Sequence, residues 1–170
     1  RLSLGTFKRY LPCYRQWRED GLAAMHQGLE DKKRVAAVTA DLRLFYHSLS
    51  PEFLLDPDYL AAVDLEGILT SDQKEFTLGL IKAIRAWAKE TPLHKKNPSV
   101  GLPVGLSASR LIANVALAEF DKTILQEIVP LYYGRYVDDV ILVLHDTHGF
   151  QNAKDVWSFL EERMKGLLAI

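Results

Sequence analysis

The chain has 170 residues, of which 48% are hydrophobic and 25% are charged, and its formal net charge is −1. This length and composition are typical of one folded domain with a sizeable core, and they exclude an intrinsically disordered chain. The sequence contains no run of about 18 apolar residues and no signal-peptide pattern, so it predicts no membrane span and, by default, a cytoplasmic location.

The cysteine content argues against a disulfide bond and a structural zinc site. Cys13 is the only cysteine, so no internal disulfide can form, and the five histidines show no metal-ligand spacing with it. A structural zinc site is therefore not expected.

With this net charge, the chain lacks the overall basic surface that binding to a nucleic-acid duplex usually requires. The basic residues occur in small groups that are more typical of solvated faces: Lys8-Arg9, Arg15 and Arg18, Lys32-Lys33-Arg34, and Lys95-Lys96.

The first half of the chain predicts a helix, a strand and a second helix start. Apolar residues at helical spacing predict a helix from Tyr14 to Leu29, although Gly21 weakens this prediction. Its apolar stripe consists of Trp17, Leu22, Met25 and Leu29. A short buried strand is expected from Arg34 to Ala40, ending at Asp41. Ser50 and Pro51 then resemble an N-cap followed by proline at the first helical position.

The middle of the chain predicts two longer helices. The first runs from Asp72 to Glu90, and its core-facing stripe consists of Phe76, Leu80, Ile81, Ile84, Trp87 and Ala88. A loop rich in helix breakers follows at 91–99. The helical pattern returns from Ser107 to about Ile128, and Pro130 ends it. The residues expected to face inward there are Leu111, Val115, Ala118 and Leu125.

The last third predicts a β-hairpin and a closing helix. Strands at 132–136 and 140–144 flank Val137-Asp138-Asp139. An amphipathic helix is expected from Gln151 to Leu168, carrying Val156, Phe159, Leu160 and Met164. A strand, two helices, a hairpin and a closing helix together predict an α+β fold, with helices packed on one face of an antiparallel sheet.

Two adjacent carboxylates, Asp138 and Asp139, lie at the mouth of the predicted hairpin. Like charges at this distance repel, so placing them together is costly without a cation. Carboxylate oxygens without nearby thiolates suit a hard ion such as Mg²⁺. A solvated turn is an equally good explanation for such a pair alone. A third carboxylate, Asp41, occupies a similar position at a strand end and favours the cation site.

Three segments of the chain together resemble the palm of a reverse transcriptase. They are Asp41 with Phe45-Tyr46, the glycine- and proline-containing segment Gly101 to Asn114, and Tyr136-Val137-Asp138-Asp139. Their order and spacing fit that family, and the resemblance covers roughly Arg34 to Leu144. It implies a polymerase palm of the split βαβ type that occupies residues 1–170 and includes part of the fingers. No thumb is recognisable.

The resemblance implies an RNA-directed DNA polymerase that adds dNTPs to a 3′-hydroxyl with two Mg²⁺ ions, for which Mn²⁺ could substitute. Two ions require bridging carboxylates from different strands, and Asp41 and Asp138 are the natural pair, with Asp139 completing the catalytic site. In the family, the backbone carbonyl after the first aspartate also binds metal. The implied metal ligands are therefore Asp41, Leu42, Asp138 and Asp139.

The same resemblance implies a dNTP site formed by Leu42, Leu44, Phe45, Tyr46 and Gly105. The amides of Leu44 and Phe45 would face the triphosphate. The ring of Tyr46 would lie beneath the sugar, where it would clash with a 2′-hydroxyl and so select deoxynucleotides. A core aromatic is the alternative role for Tyr46. At Gly105 a side chain would hinder close approach of the backbone to nucleotide or template, and a positive-φ turn explains the glycine equally well.

One departure from the family pattern indicates which reverse transcriptases the chain resembles most. Val104 stands where retroviral and group II intron enzymes usually carry glutamine, which puts one contact to the nucleotide in doubt. The pattern is more similar to bacterial reverse transcriptases. The abortive-infection and defence-associated group is the first choice among them, and some of its members extend DNA without a template. Diversity-generating and CRISPR-associated enzymes are close competitors.

The implied partners are dNTPs, an RNA or DNA template and primer, and further fingers and thumb segments or a partner protein, with no membrane. Two alternatives stay open. The chain could be a non-catalytic palm-fold module for nucleic-acid binding or assembly. It could also be a palm-fold nucleotide cyclase, against which Tyr46 and the segment from Gly101 argue.

Overall fold

The computed structural model describes residues 9–164 and 166–167. Lys8 and the predicted helix end at Leu168 lie outside these residues. The described elements are, in chain order, α1 (Tyr10–Glu30), β1 (Val35–Asp41), α2 (Phe45–Ser48), a 3₁₀-helix (Pro51–Leu55), α3 (Pro57–Ala62), α4 (Ser71–Glu90), α5 (Ser107–Ala116), α6 (Ala118–Thr123), a π-helix (Ile124–Ile128), β2 (Tyr132–Tyr136), β3 (Asp139–His145) and α7 (Ala153–Arg163). None of the described helices is long and apolar enough to cross a membrane.

The described residues form two compact units, each with its own packing. The sheet unit contains the described residues up to Leu42 and from Thr123 onward, and the helical unit is Arg43–Lys122. In the sheet unit, β3 lies between β1 and β2 and pairs antiparallel with both. The prediction of an α+β fold with an antiparallel sheet is confirmed.

Helix α1 packs on one face of the sheet through its glycines. A Cβ at Gly21 would lie 2.9 Å from Ile141 Cγ2, and a Cβ at Gly28 would lie 2.8 Å from Val35 Cγ2. Leu22 and Leu29 of the predicted apolar stripe are 52% and 58% exposed, so the stripe does not mark the packing face at these positions. Hydrophobic spacing could not reveal this face, because the helix approaches so closely that only glycine fits. Gly21 therefore marks the packing face of α1, although its low helix propensity had weakened the prediction.

The other face of β3 is also covered. Val140, Leu142 and Leu144 alternate along the strand and are all buried, as expected for one side of a pleated strand. In α7, Val156 and Leu160 are buried, which agrees with the predicted apolar stripe. The helix starts at Ala153 rather than Gln151, because the Asn152 side chain accepts hydrogen bonds from the Lys154 and Asp155 N–H groups in a capping box.

The helical unit has a core formed by Ile84, Leu102, Ile112 and Ala113. Helix α4 begins with a capping box, in which Thr70 and Gln73 satisfy each other's backbone N–H groups. The predicted core stripe of this helix was wrong at Phe76, which is 74% exposed. Phe76 lies in the second turn, whereas the buried residues of α4 are Ile81, Ile84 and Ala88, in its second half.

The single helix predicted from Ser107 to Ile128 is three elements, α5, α6 and the π-helix. Its predicted inward face was wrong at Leu111, Val115 and Leu125, which are 53%, 40% and 57% exposed. Ile112 and Ile124, each one position away from a predicted residue, are buried instead. The break at Leu117 and the wider turn of the π-helix change the rotation per residue, so a 3.6-residue period cannot be extended to Leu125. Leu111 and Val115 precede the break, and there the error is one of phase, because Ile112 and Ala113 form the core-facing side of α5.

Candidate active site at the hairpin end of the sheet

The strand register brings the three predicted catalytic aspartates to one end of the sheet. Asp41 and Asp139 are direct partners in the antiparallel ladder between β1 and β3. Directly opposed residues project from the same face, with Cβ atoms about 4.5–5.5 Å apart. The ladder continues one residue further, because the Leu42 N–H donates to the Asp138 carbonyl oxygen over 3.1 Å. Sequence position alone could not establish this register.

The turn that carries Asp138 is strained. Tyr136 pairs with Asp139, so Val137 and Asp138 form a two-residue connection between β2 and β3. Val137 has a φ of +62°, which is unfavourable for a β-branched residue. The Arg135 guanidinium donates to the Val137 carbonyl oxygen over 2.8 Å and helps to hold the turn. Such strain is often found at functional sites, where the surrounding structure maintains it.

A second strained residue lies in the segment that follows Asp41. Leu44 has a φ of +55° and is 62% exposed, although leucine rarely adopts the left-handed conformation. Val129 also has a positive φ, at the end of the π-helix and away from the predicted site residues in the sequence. Positive φ is therefore not unique to the predicted site, but non-glycine residues adopt it in two of the three chain segments that carry the resemblance.

The carboxylates repel one another. Burial raises the pKa of Asp139 above its ordinary value of 3.8, and the negative charges of Asp138 and Asp41 raise it further. Asp139 is half-buried, whereas Asp41 is exposed. The folded chain thus holds Asp139 in an environment that disfavours its charged form, and a bound cation would reverse that preference.

A cavity of about 310 Å³ opens beside Asp41 and Asp139. Its walls are Tyr14, Trp17 and Arg18 of α1 together with residues of β1 and β3. The ring centroids of Tyr14 and Trp17 are 5.2 Å apart, and the ring of Tyr14 meets that of Tyr136 edge-on at 5.5 Å. This aromatic packing fixes the α1 wall relative to the turn.

The α1 wall was missed from the sequence, although a signal for it existed. Tyr14, Trp17 and Arg18 follow the i, i+3, i+4 spacing that places residues on one side of a helix. The sequence could not show that this side meets the aspartates, because that depends on how α1 packs across the sheet.

The donor set suits a hard cation that is shared with a ligand. Within residues 9–164 and 166–167, no group of three or more histidine, cysteine or acidic residues is close enough to hold a metal ion by itself. The opposed pair Asp41 and Asp139 supplies carboxylate oxygens. Proteins usually bind Mg²⁺ through one or two carboxylates, with substrate phosphates and water completing the shell. The residues therefore fit an ion bound together with a phosphate, and they do not form an all-protein cage.

The predicted dNTP site is divided between the two units. The sheet unit contains Leu42, and the helical unit contains Leu44, Phe45, Tyr46 and Gly105. The Leu102 N–H donates to the Tyr46 carbonyl oxygen over 2.7 Å, and the Gly101 N–H donates to that of Leu49 over 2.9 Å. These bonds join the segment after Asp41 to the predicted segment from Gly101. The rings of Phe45 and Tyr46 both pack against the core of this unit. Tyr46 therefore has a packing role whether or not it contacts a sugar.

Gly105 has a φ of +92°, which explains the glycine within the chain itself. A Cβ at this position would meet no other atom within 4 Å. Any steric role of Gly105 would thus involve a ligand rather than the protein. Neither observation tests the predicted contacts of Leu44 and Phe45 with a triphosphate.

No family model matches this chain, and no curated protein matches it either. The resemblance to reverse transcriptases therefore depends on the three sequence segments.

Proposed function

We propose that this chain is a polymerase palm of the reverse transcriptase type, which adds dNTPs to a 3′-hydroxyl. The observation that carries the proposal is the direct pairing of Asp41 with Asp139, with Asp138 in the adjoining strained turn. Motifs almost a hundred residues apart supply these carboxylates, and the order of the motifs is that of the family. Hydrogen bonds between the Tyr46 region and the segment from Gly101 support the same assignment.

In this proposal the chain's own residues bind and orient the reactants. Asp41, Asp138, Asp139 and the Leu42 carbonyl would hold Mg²⁺. The bound ions would activate the attacking hydroxyl and neutralise charge on the pyrophosphate that leaves. Tyr46 would exclude ribonucleotides by its bulk, and the glycine at 105 would let backbone approach the nucleotide or template.

One observation favours a non-catalytic palm module as the second candidate. The described carboxylates do not form a three-ligand cluster, so the protein alone offers an incomplete metal site. A module that binds nucleic acid or organises an assembly would need no such cluster. The two candidates differ in whether incorporation of nucleotides depends on the aspartates.

The deciding experiment measures incorporation of labelled dNTPs by the protein in Mg²⁺, with and without a primed RNA template. Asp41→Asn and Asp138→Asn remove one candidate ligand each, and Asp72→Asn, on the exposed first turn of α4, is the matched control. Incorporation that requires template, and that is lost in the first two variants only, supports a reverse transcriptase. Incorporation without template, lost in the same variants, supports the untemplated group. Equal activity of all variants, or none at all, would refute the enzymatic proposal.

A further inference from the structure

The helical unit contains an apolar cavity of about 440 Å³. Leucines from the 3₁₀-helix, α3, the following loop and α4 line it: Leu55, Leu60, Leu65, Leu69 and Leu78. Leu65 and Leu78 are 37% and 43% exposed, so the cavity opens to solvent. Its volume is within the range of ligand pockets, and its lining resembles a groove that receives apolar side chains.

Further apolar surface follows directly in the sequence from residues that line this groove. Ile68 and Phe76 are 62% and 74% exposed. They adjoin Gly67, Leu69 and Glu75, all of which contribute to the groove. These side chains add to the exposed apolar surface of the segment that forms the groove, and large exposed apolar surface is typical of interaction sites.

The segment that forms the groove is strongly acidic. Residues 56–78 contain six carboxylates and one lysine, whereas the whole chain carries a formal charge of only −1: Asp56, Asp58, Asp64, Glu66, Asp72 and Glu75, with Lys74. This segment would repel the phosphates of a nucleic acid or of an anionic membrane.

Several of these carboxylates have structural roles. Asp56 accepts a hydrogen bond from the Tyr59 N–H at the start of α3, and Asp64 pairs with Lys122. Asp58 and Asp72 occupy the first turns of helices, where negative charge is favourable.

Glu66 and Glu75 differ from the other four carboxylates. Both line the groove and are exposed, and neither forms an ion pair with another residue in the described part of the chain. Lys74 also lines the groove, so two carboxylates against one ammonium leave its edge net negative. This charge is complementary to a ligand that is apolar on one side and basic around it.

We infer that this groove docks a basic amphipathic helix of a partner protein. Apolar residues at i, i+3 or i+4 and i+7 would enter between the leucines, as in other helix-in-groove complexes. Lysine or arginine side chains beside them would meet Glu66 and Glu75. The inference rests on the groove alone and does not depend on the polymerase proposal.

A charge-swap experiment tests this inference. The probes are two fluorescent peptides of about 14 residues, or four helical turns, with leucine at the same amphipathic positions and either lysine or glutamate elsewhere. Fluorescence anisotropy measures their binding to the protein, to Glu66→Lys/Glu75→Lys, and to the control Glu161→Lys/Glu162→Lys. The control pair is exposed on α7, and replacing its two glutamates by lysine changes the net charge of the protein by the same amount. Circular dichroism confirms that the variants are folded.

The unmodified protein and the α7 control should prefer the lysine peptide by about tenfold, because two exposed charge pairs each contribute a few-fold. The preference should reverse in Glu66→Lys/Glu75→Lys. Binding of the lysine peptide that is unchanged in this variant would overturn the inference, and so would failure of both peptides to bind. Concentration-dependent self-association abolished by Phe76→Ser would also overturn it, in favour of a second copy of this chain as the occupant.

Discussion

Gly21 provides the sharpest test of how α1 packs on the sheet. A Cβ at this position would lie 2.9 Å from Ile141 Cγ2 and 3.3 Å from its Cδ1. Carbon atoms prefer separations of about 3.5–4.0 Å. The Cγ2 atom belongs to a β-branched side chain with few rotamers, and Ile141 lies in β3, paired with both neighbouring strands. Gly21→Ala should therefore move the helix or the strand.

The size of the effect follows from two opposing terms. Overpacking of a close contact costs about 1–3 kcal/mol. Replacing glycine by alanine within a helix contributes up to about 1 kcal/mol in the opposite direction. Gly79 in α4 is the matched control, because a Cβ there would meet nothing within 4 Å and only the second term applies. Gly21→Ala should thus be less stable than Gly79→Ala by about 1–3 kcal/mol.

Urea unfolding followed by circular dichroism measures this difference, with each variant compared against the unmodified protein. Equal stabilisation by both substitutions would refute the close packing of α1. The same packing positions the wall of the candidate site, and Ile141 itself lines that cavity. Gly21→Ala should therefore also reduce nucleotide incorporation per folded molecule, if the polymerase proposal is correct, whereas Gly79→Ala should not.

Three further predictions concern individual side chains. Because the pKa of Asp139 is raised in the folded chain, Asp139→Asn should stabilise the protein at neutral pH. Urea unfolding should show that this gain in stability disappears as the pH falls to about 3.8 and below. The pKa of Asp146 is shifted in the opposite direction. Burial acts to raise this pKa, but backbone N–H donors and Arg34 hold it below 3.8. Asp146→Asn should therefore destabilise the protein at neutral pH, with the loss vanishing as the pH falls through the lowered pKa; a loss that persists there would contradict this account. Tyr46→Val should increase use of rNTPs relative to dNTPs in a competition assay, whereas an equal increase in the control Phe45→Leu would argue against a specific role for Tyr46.

Local sequence signals determined most helix and strand positions. The β2 strand occupies the predicted residues, and β1 and β3 differ from the prediction by one residue at each end. Alternating or turn-bounded apolar residues are sufficient for this, because they report local geometry. Buried faces were less predictable. The inward side of α1 depends on glycines, which an apolar period does not mark. The helical period of α5 ends at Leu117, so it does not predict the buried side of the residues that follow.

The sequence by itself identified the three aspartates of the candidate site and their order along the chain. Only the tertiary structure decided that Asp41 lies opposite Asp139, because a shift of one residue in the strand pairing would place their side chains on opposite faces. It also decided that Tyr14, Trp17 and Arg18 line the same cavity. That neighbourhood arises from the close approach of a helix to a strand more than a hundred residues away, and no local pattern encodes the distance.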